Sequence, residues 1–325
     1  MKQPKNIQTS FKWLSIFLWF LLIMAVPFVL LNVKIAFQAY NLTHFNSHPS
    51  SNSDTLTQPE SLLNAFGINA LLQKPQDSIV DLDFIEVDTI SGILNLELWR
   101  FDMEPSKGVI ALFHGFNATK TSLWKEAHAF YRMGYTVILV DLRGSGNSAG
   151  FQTTYGYYEA LDIERAFHYC QENFPRKKVF LYGFSSGAVS IMRAVSELHI
   201  KPDGVILQSP YFRFLKRSDN LIHMAPIPTY ITSSIFTFWT GQLNGFNAFV
   251  HDPITYAQNI ECPTLLIHGM NDQRISYSDS KKIYDELPPH SELGVFSKSG
   301  HESILKKEEP NWIYLVTNFM ESNRH

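Results

Sequence analysis

Apolar and polar residues follow three regimes along this chain. A charge-free apolar block comes first, a polar Ser- and Pro-containing stretch second, and a long alternation of apolar motifs third. In the third regime "IVDLDFIEVDT" and "ILNLELWRF" alternate apolar and polar residues, with Ser91-Gly92 between them. This period of two predicts an antiparallel strand pair. "GVIALFHG", "YTVILVD", "KKVFLYGF", "GVILQSP", "PTLLIHG" and "LGVFSK" are short apolar runs suited to buried strands. Helical patterns separate most of them: "TSLWKEAHAFYRMG", with a Thr or Ser start and a Gly stop, "YYEALDIERAFHYCQENF", "SSGAVSIMRAVSELH", "YSDSKKIYDEL" and finally "EEPNWIYLVTNFMES". Strands this apolar need cover on both faces. The expected fold class is therefore α/β, a mostly parallel sheet with helices on each side.

One interval breaks the alternation. Residues 211–258 include "HMAPIPTYITSSIFTFWTGQLNGFNAF", rich in aromatic, Pro and Gly residues and poor in charge. It is too long for a plain connection. We expect a small cap inserted over one end of the sheet.

The first regime, "WLSIFLWFLLIMAVPFVLL", runs from Trp13 to Leu31 without a charge. At helical rise it reaches about 28 Å, near the thickness of a bilayer core. Lys2, Lys5 and Lys12 precede it, and only Lys34 follows closely. That bias puts the N-terminus in the cytoplasm and the bulk of the chain on the other side. A cleaved signal peptide is the rival, but bulky Phe37 sits badly for cleavage after Ala39. The expected organisation is a cytoplasmic tail and transmembrane signal anchor over 1–34, then a linker over 35–77. In that linker "HFNSHPSSNSDTLTQPES" is a tether and "ESLLNAFGINALLQ" a short helix. The catalytic domain spans 78–325 with the cap at about 211–258.

Composition narrows the function. Apolar residues make up 45% of the 325, enough for a sizeable core, and the net charge of −3 comes without a long basic run. No nucleic-acid partner is indicated. Two cysteines, Cys170 and Cys262, are too few for a disulfide framework and read as buried free thiols.

The chemistry gathers at strand ends. "YGFSSGAV" sets Ser185 at the centre of a G-x-S-x-G spacing, after a strand and before a helix. That context suits a nucleophile elbow, where flanking glycines allow a turn that would crowd side chains. Ser186 then offers a backbone N–H at a helix start, aimed at a developing oxyanion. "LLIHGMNDQRIS" places Asp272 after the next-to-last strand, and "LGVFSKSGHES" places His301 after the last. Taken singly, Asp272 could cap the helix near Ser276 and His301 could be a loop residue. A serine, an acid and a histidine at three strand ends in this order read instead as one triad. A second oxyanion donor is expected from "HGFNATK", with the N–H of Phe116 as candidate, while His114 pins the loop. Asn117 and Asn41 are formal glycosylation acceptors; a glycan on Asn117 would obstruct the site.

With "HGFNATK", "DLRGSGNSAG", "YGFSSG", "CPTLLIHGMNDQRIS" and "SGHE", the chain resembles α/β-hydrolase fold enzymes of the serine aminopeptidase-like group, which includes many esterases and lipases. The resemblance runs from about residue 80 to the end. It implies a catalytic triad of Ser185, Asp272 and His301 and an oxyanion hole from the Phe116 and Ser186 amides. The expected activity is cleavage of an ester, thioester or amide through an acyl-enzyme. The anchor and the aromatic cap favour a hydrophobic acyl ester, lipids among them. The alternatives are an aminopeptidase, for which the cap supplies no clear acid beyond Asp219 and Asp252, and a tethered binding protein without catalysis.

No cofactor is expected. "GSGNSA" at 144–149 fits a dinucleotide pattern, but the helical pattern begins only near Tyr155. No H-E-x-x-H occurs, and the histidines are scattered, so no metal is expected. Glu159, Asp162 and Glu164 share one helix, where solvated or capping roles are the default.

Overall fold

The computed structural model describes residues 6–46, 72–78, 85–222 and 227–323. The tether beyond Asn46 and most of the short helix expected after it lie outside the described residues. The last two residues of that segment, Leu72–Gln73, pair in parallel with Phe45–Asn46.

Eight strands form the main sheet: β1 (Glu86–Ile90), β2 (Leu96–Phe101), β3 (Val109–Phe113), β4 (Thr136–Val140), β5 (Val179–Phe184), β6 (Gly204–Gln208), β7 (Thr264–Gly269) and β8 (Glu292–Phe296). Their spatial order is β8-β7-β6-β5-β3-β4-β2-β1. β1 pairs antiparallel with β2, and β2 antiparallel with β4; every other pairing is parallel. The period-two pattern thus marks the antiparallel edge, and the apolar runs mark the parallel interior. Alternation within a buried strand splits the core. Val109, Ala111 and Phe113 of β3 face one layer, while Ile110 and Leu112 face the other.

Helix α1 (Asn6–Thr43) is followed by α2 (Trp124–Arg132), α3 (Glu159–Asn173) and α4 (Ser186–Glu197). α3 and α4 cover one face of the sheet with Ile163 and Ile191. α2 and α9 (Ile304–Ser322) cover the other with Phe130, Trp312 and Phe319. No Thr or Ser side chain caps α2; a 3₁₀ turn, Lys120–Leu123, runs straight into it.

The interval after β6 folds as α5 (Phe214–Leu221), α6 (Thr229–Asn244), a 3₁₀ turn at Ala248–Val250 and α7 (Pro253–Ala257). α8 (Tyr277–Glu286) follows β7. A third apolar cluster joins this insertion to the sheet end, with Phe214, Phe236 and Phe246 packed among Tyr155, Val189 and Ile275.

The apolar helix α1 does not stop near Lys34. It runs on to Thr43, and its last turns bury Ile35 and Ala39 in that third cluster. Asn244 of α6 donates to Thr43 Oγ1 at 3.2 Å. Asn41, one formal glycan acceptor, is itself buried here. Upstream, Trp13 to Leu30 leave their large side chains exposed, as a segment built for an apolar surround requires. The stretch Trp13–Thr43 is long and apolar enough to cross a membrane, and an 18-residue window within it has a mean hydropathy of 2.7.

Candidate active site

Ser185 sits at the sharpest point of the chain. β5 ends at Phe184 and α4 begins at Ser186, leaving Ser185 at φ 54°, ψ −116°. A non-glycine residue holds such a conformation only when its surroundings enforce it. The flanking glycines show how. A Cβ on Gly187 would meet the backbone oxygen of Phe113 and lie 2.5 Å from that of His114. A Cβ on Gly183 would lie 2.6 Å from the Ala188 nitrogen. The Ser185 N–H donates to Gln208 O at 2.8 Å, tying the turn to β6.

β7 and β8 bring the other two groups. Gly269 ends β7 where a Cβ would press on the Ser299 backbone, so the two loops lie against each other. The Asn271 N–H donates to Ser299 O at 2.9 Å across that contact. Asp272 Oδ2 meets His301 Nδ1 at 2.6 Å, and His301 Nε2 meets Ser185 Oγ at 3.1 Å. Asp272 Oδ1 accepts from the Arg274 and Ile275 amides, each at 2.8 Å. Burial alone would raise the Asp272 carboxyl, but the His301 hydrogen bond and these amides outweigh it and hold it low.

Neutral histidines brace the loops. His268 is buried, donates from Nε2 to Ile275 O at 3.1 Å and accepts at Nδ1 from Ser280. His114 donates from Nδ1 to Gly115 O and accepts at Nε2 from the Leu142 N–H. His114 must leave Nε2 bare to accept from the Leu142 N–H, and burial lowers the pKa of both rings, which favours their neutral forms. Glu308 breaks the helical geometry of α9 (φ −133°) and accepts from the Lys298 amide and the Ser299 hydroxyl, fixing the His301 loop.

The loop after β3 carries Phe116, whose ring stacks on Tyr155 at 4.6 Å. Among the described residues, neither the Phe116 nor the Ser186 amide has a hydrogen-bond acceptor. Lys120 anchors this loop from below. Its ammonium is fully buried among Asp77, Glu97 (2.8 Å) and Asp141 (2.5 Å), over the Trp99 ring. The three carboxylates converge as a cation site would, and the lysine nitrogen stands at their centre.

A cavity of about 230 Å³ opens beside Ser185 and His301. Phe116, Phe184 and Gln208 line it, and the Phe184 ring lies 5.0 Å from that of His301. The sequence reading missed three charged residues here. Glu126 of α2, Arg217 of α5 and Arg274 after β7 all face this space. Arg274 stands beside the expected acid, a local signal. Arg217 and Glu126 reach the site only through the packing of the cap and α2.

Other residues fall in place structurally. "GSGNSA" opens no helix; Gly144 and Gly146 take positive φ and fold the loop around Asp141. Glu159 and Asp162 are buried rather than solvated, because each has a loop to hold. Glu159 accepts from Thr153, Thr154 and the Gly156 amide, and Asp162 pairs with Arg143 at 2.7 Å. Cys170 is buried and Cys262 half-buried; burial pushes both thiols up to about 12.

This sheet order, the strained elbow after β5, and an acid and histidine after β7 and β8 define an α/β hydrolase. The model of the serine aminopeptidase family, S33, matches residues 104–253. The sequence is 24% identical over 216 residues to the uncharacterized protein YqkD of Bacillus subtilis, covering 66% of this chain and 71% of that one. It is 28% identical over 218 residues to the lysophosphatidylserine lipase ABHD12 of Xenopus tropicalis, covering 61% of this chain and 52% of the lipase. The chain thus spans about half the length of the lipases it matches. Among solved structures, an esterase of Pyrococcus furiosus, Pf2001, superposes with a TM-score of 0.62 at 22% identity, over 76% of this chain and 97% of the esterase. A bacterial membrane phospholipase A gives 0.53 at 17% identity, over 75% and 88%. The chain has the α/β-hydrolase fold and is similar in sequence to its serine aminopeptidase-like and esterase–lipase group.

Proposed function

We propose that this chain is a membrane-anchored serine hydrolase that cleaves a hydrophobic acyl ester through an acyl-enzyme. The observation that carries this reading is the relay from Ser185 through His301 to Asp272, at 3.1 and 2.6 Å. Ser185 Oγ attacks the acyl carbonyl while His301 Nε2 takes its proton. Asp272, held ionised, orients the imidazole and stabilises its charged form. The Phe116 and Ser186 amides, with no other acceptor, receive the oxyanion. His301 then protonates the leaving alcohol, and a water activated by the same imidazole frees the acid and restores Ser185.

The apolar α1 and the aromatic cap joined to it support a lipid-like acyl group met at a membrane surface. The lysine bias before α1 supports a catalytic domain on the non-cytoplasmic side, which protease accessibility in intact cells tests. An aminopeptidase would need an ionised acid for the substrate's free amine. Glu126 is the carboxyl in the cavity, and burial raises its pKa toward the neutral form, which favours the ester reading.

A fluorophosphonate probe should label the native protein, and Ser185→Ala should abolish both labelling and hydrolysis of p-nitrophenyl acyl esters. Labelling that survives this substitution would refute the assignment.

A further inference from the structure

The cavity beside Ser185 holds charge that the proposed reaction leaves unused. Arg217 reaches it from α5 of the cap, and Arg274 from the loop that carries Asp272. Arg217 is half-buried. Among the described residues its guanidinium has neither a carboxylate partner nor a hydrogen bond. Burial, with the charge of Arg274 adding to it, pulls Arg217 below the ordinary arginine range. A desolvated cation without a directly paired counter-ion is costly to keep.

The groups facing Arg217 offset its charge only in part. Burial keeps the Tyr155 and Tyr211 phenols protonated. Asp272 is ionised and offsets part of the Arg217 charge from a distance, but both its oxygens are committed, to His301 and to two backbone amides, so it makes no direct contact. Glu126, elsewhere on the wall, accepts from Ser303 and is biased by burial toward its neutral form. Two guanidiniums therefore face one ionised carboxylate where the cavity meets the cap, and a guanidinium's planar fork matches a carboxylate or a phosphate.

We propose that Arg217 and Arg274 form an anion-binding subsite, and that the preferred acyl substrate carries a phosphate or carboxylate on the part lodged beneath the cap. This inference rests on the serine hydrolase reading and adds the charge of the substrate to it. Binding such a substrate gives Arg217 the direct counter-ion contact it lacks among the described residues. It also ties α5 to the Asp272 loop across the bound molecule.

The test compares three esters of one fatty acid, using the full chain in detergent micelles: a neutral monoacylglycerol, its phosphate monoester, and the ester of a hydroxy acid with a free carboxylate. The wild type should favour at least one anionic ester over the neutral one in kcat/KM, and the preferred ester identifies which anion the subsite takes. Arg217→Gln should lower that ratio about 10- to 100-fold, the effect of one charge-assisted contact. Arg217→Lys should retain part of it. A wild-type ratio near one, or a parallel loss on all three esters, overturns the subsite. Equilibrium dialysis of the same esters against Ser185→Ala, with and without Arg217→Gln, separates the two readings. Arg217-dependent anion binding with no turnover of any ester by the wild type sinks the hydrolase and leaves the subsite. Turnover without anion preference does the reverse.

Discussion

Replacing Lys120 by Met tests how the loop carrying Phe116 is held. The Lys120 side chain is fully buried and its ammonium touches Asp77, Glu97 and Asp141, with the Trp99 ring 4.4 Å away. Its own amide donates to Asp141 Oδ1 at 2.8 Å, so one residue joins the loop to the end of β4. Methionine keeps the stem and removes the charge, leaving three carboxylates around one buried point. Breaking a buried ionic cluster by removing one partner costs about 3–5 kcal/mol. For a domain of this order that lowers Tm by roughly 6–20 °C. The sign of the pH dependence follows. Crowded carboxylates without a cation take up protons in the folded variant, so its deficit should shrink as pH falls from 8 to 5. Thermal unfolding followed by tryptophan fluorescence in detergent reads both effects, with Trp99 beside the lesion. A Tm within about 2 °C of wild type at pH 8, or a deficit that grows on acidification, would refute the reasoning.

Gly187→Ala places a Cβ against the backbone oxygens of Phe113 and His114, so the start of α4 must move and carry the Ser186 amide with it. Ester turnover should fall about 10- to 100-fold with far-UV circular dichroism unchanged; unimpaired kcat would contradict the close-approach argument. His251 is buried between Tyr211 and Tyr256, and burial lowers its pKa from 6.5 to about 4. The unfolded chain therefore binds the extra proton between those values, so stability is full above pH 6.5 and falls as pH drops toward 4, by roughly 3 kcal/mol from this group. His251→Gln should lessen that acid-side loss in denaturant titrations, and an identical pH profile would exclude His251 as its source.

Much of the fold was legible because it rests on short-range pattern. Period-two alternation marked β1 and β2, and continuous apolar runs marked the strands buried on both faces. The elbow was legible because its glycines answer a local steric demand: Gly183 and Gly187 stand where a Cβ would strike backbone. Asp272 and His301 were legible as positions because each follows a strand end, and strands in one parallel sheet end on one edge.

The remainder required the tertiary structure, because burial and partnership are long-range properties. Nothing local to Glu159 or Asp162 says that a helix face points inward at two loops, so both read as solvated or capping, and both are buried. α1 read as an anchor ending near Lys34. Only the apposition of α6 showed why its later turns stay helical: Ile35 and Ala39 bury against the cap. Glu126 and Arg217 reach the cavity from elements distant in sequence from Ser185. The chain thus specified by itself its strands, its apolar N-terminal helix and the elbow at Ser185. The packing of cap and helices decided which charges surround that serine, since only folding brings α2, α5 and the Asp272 loop around one space.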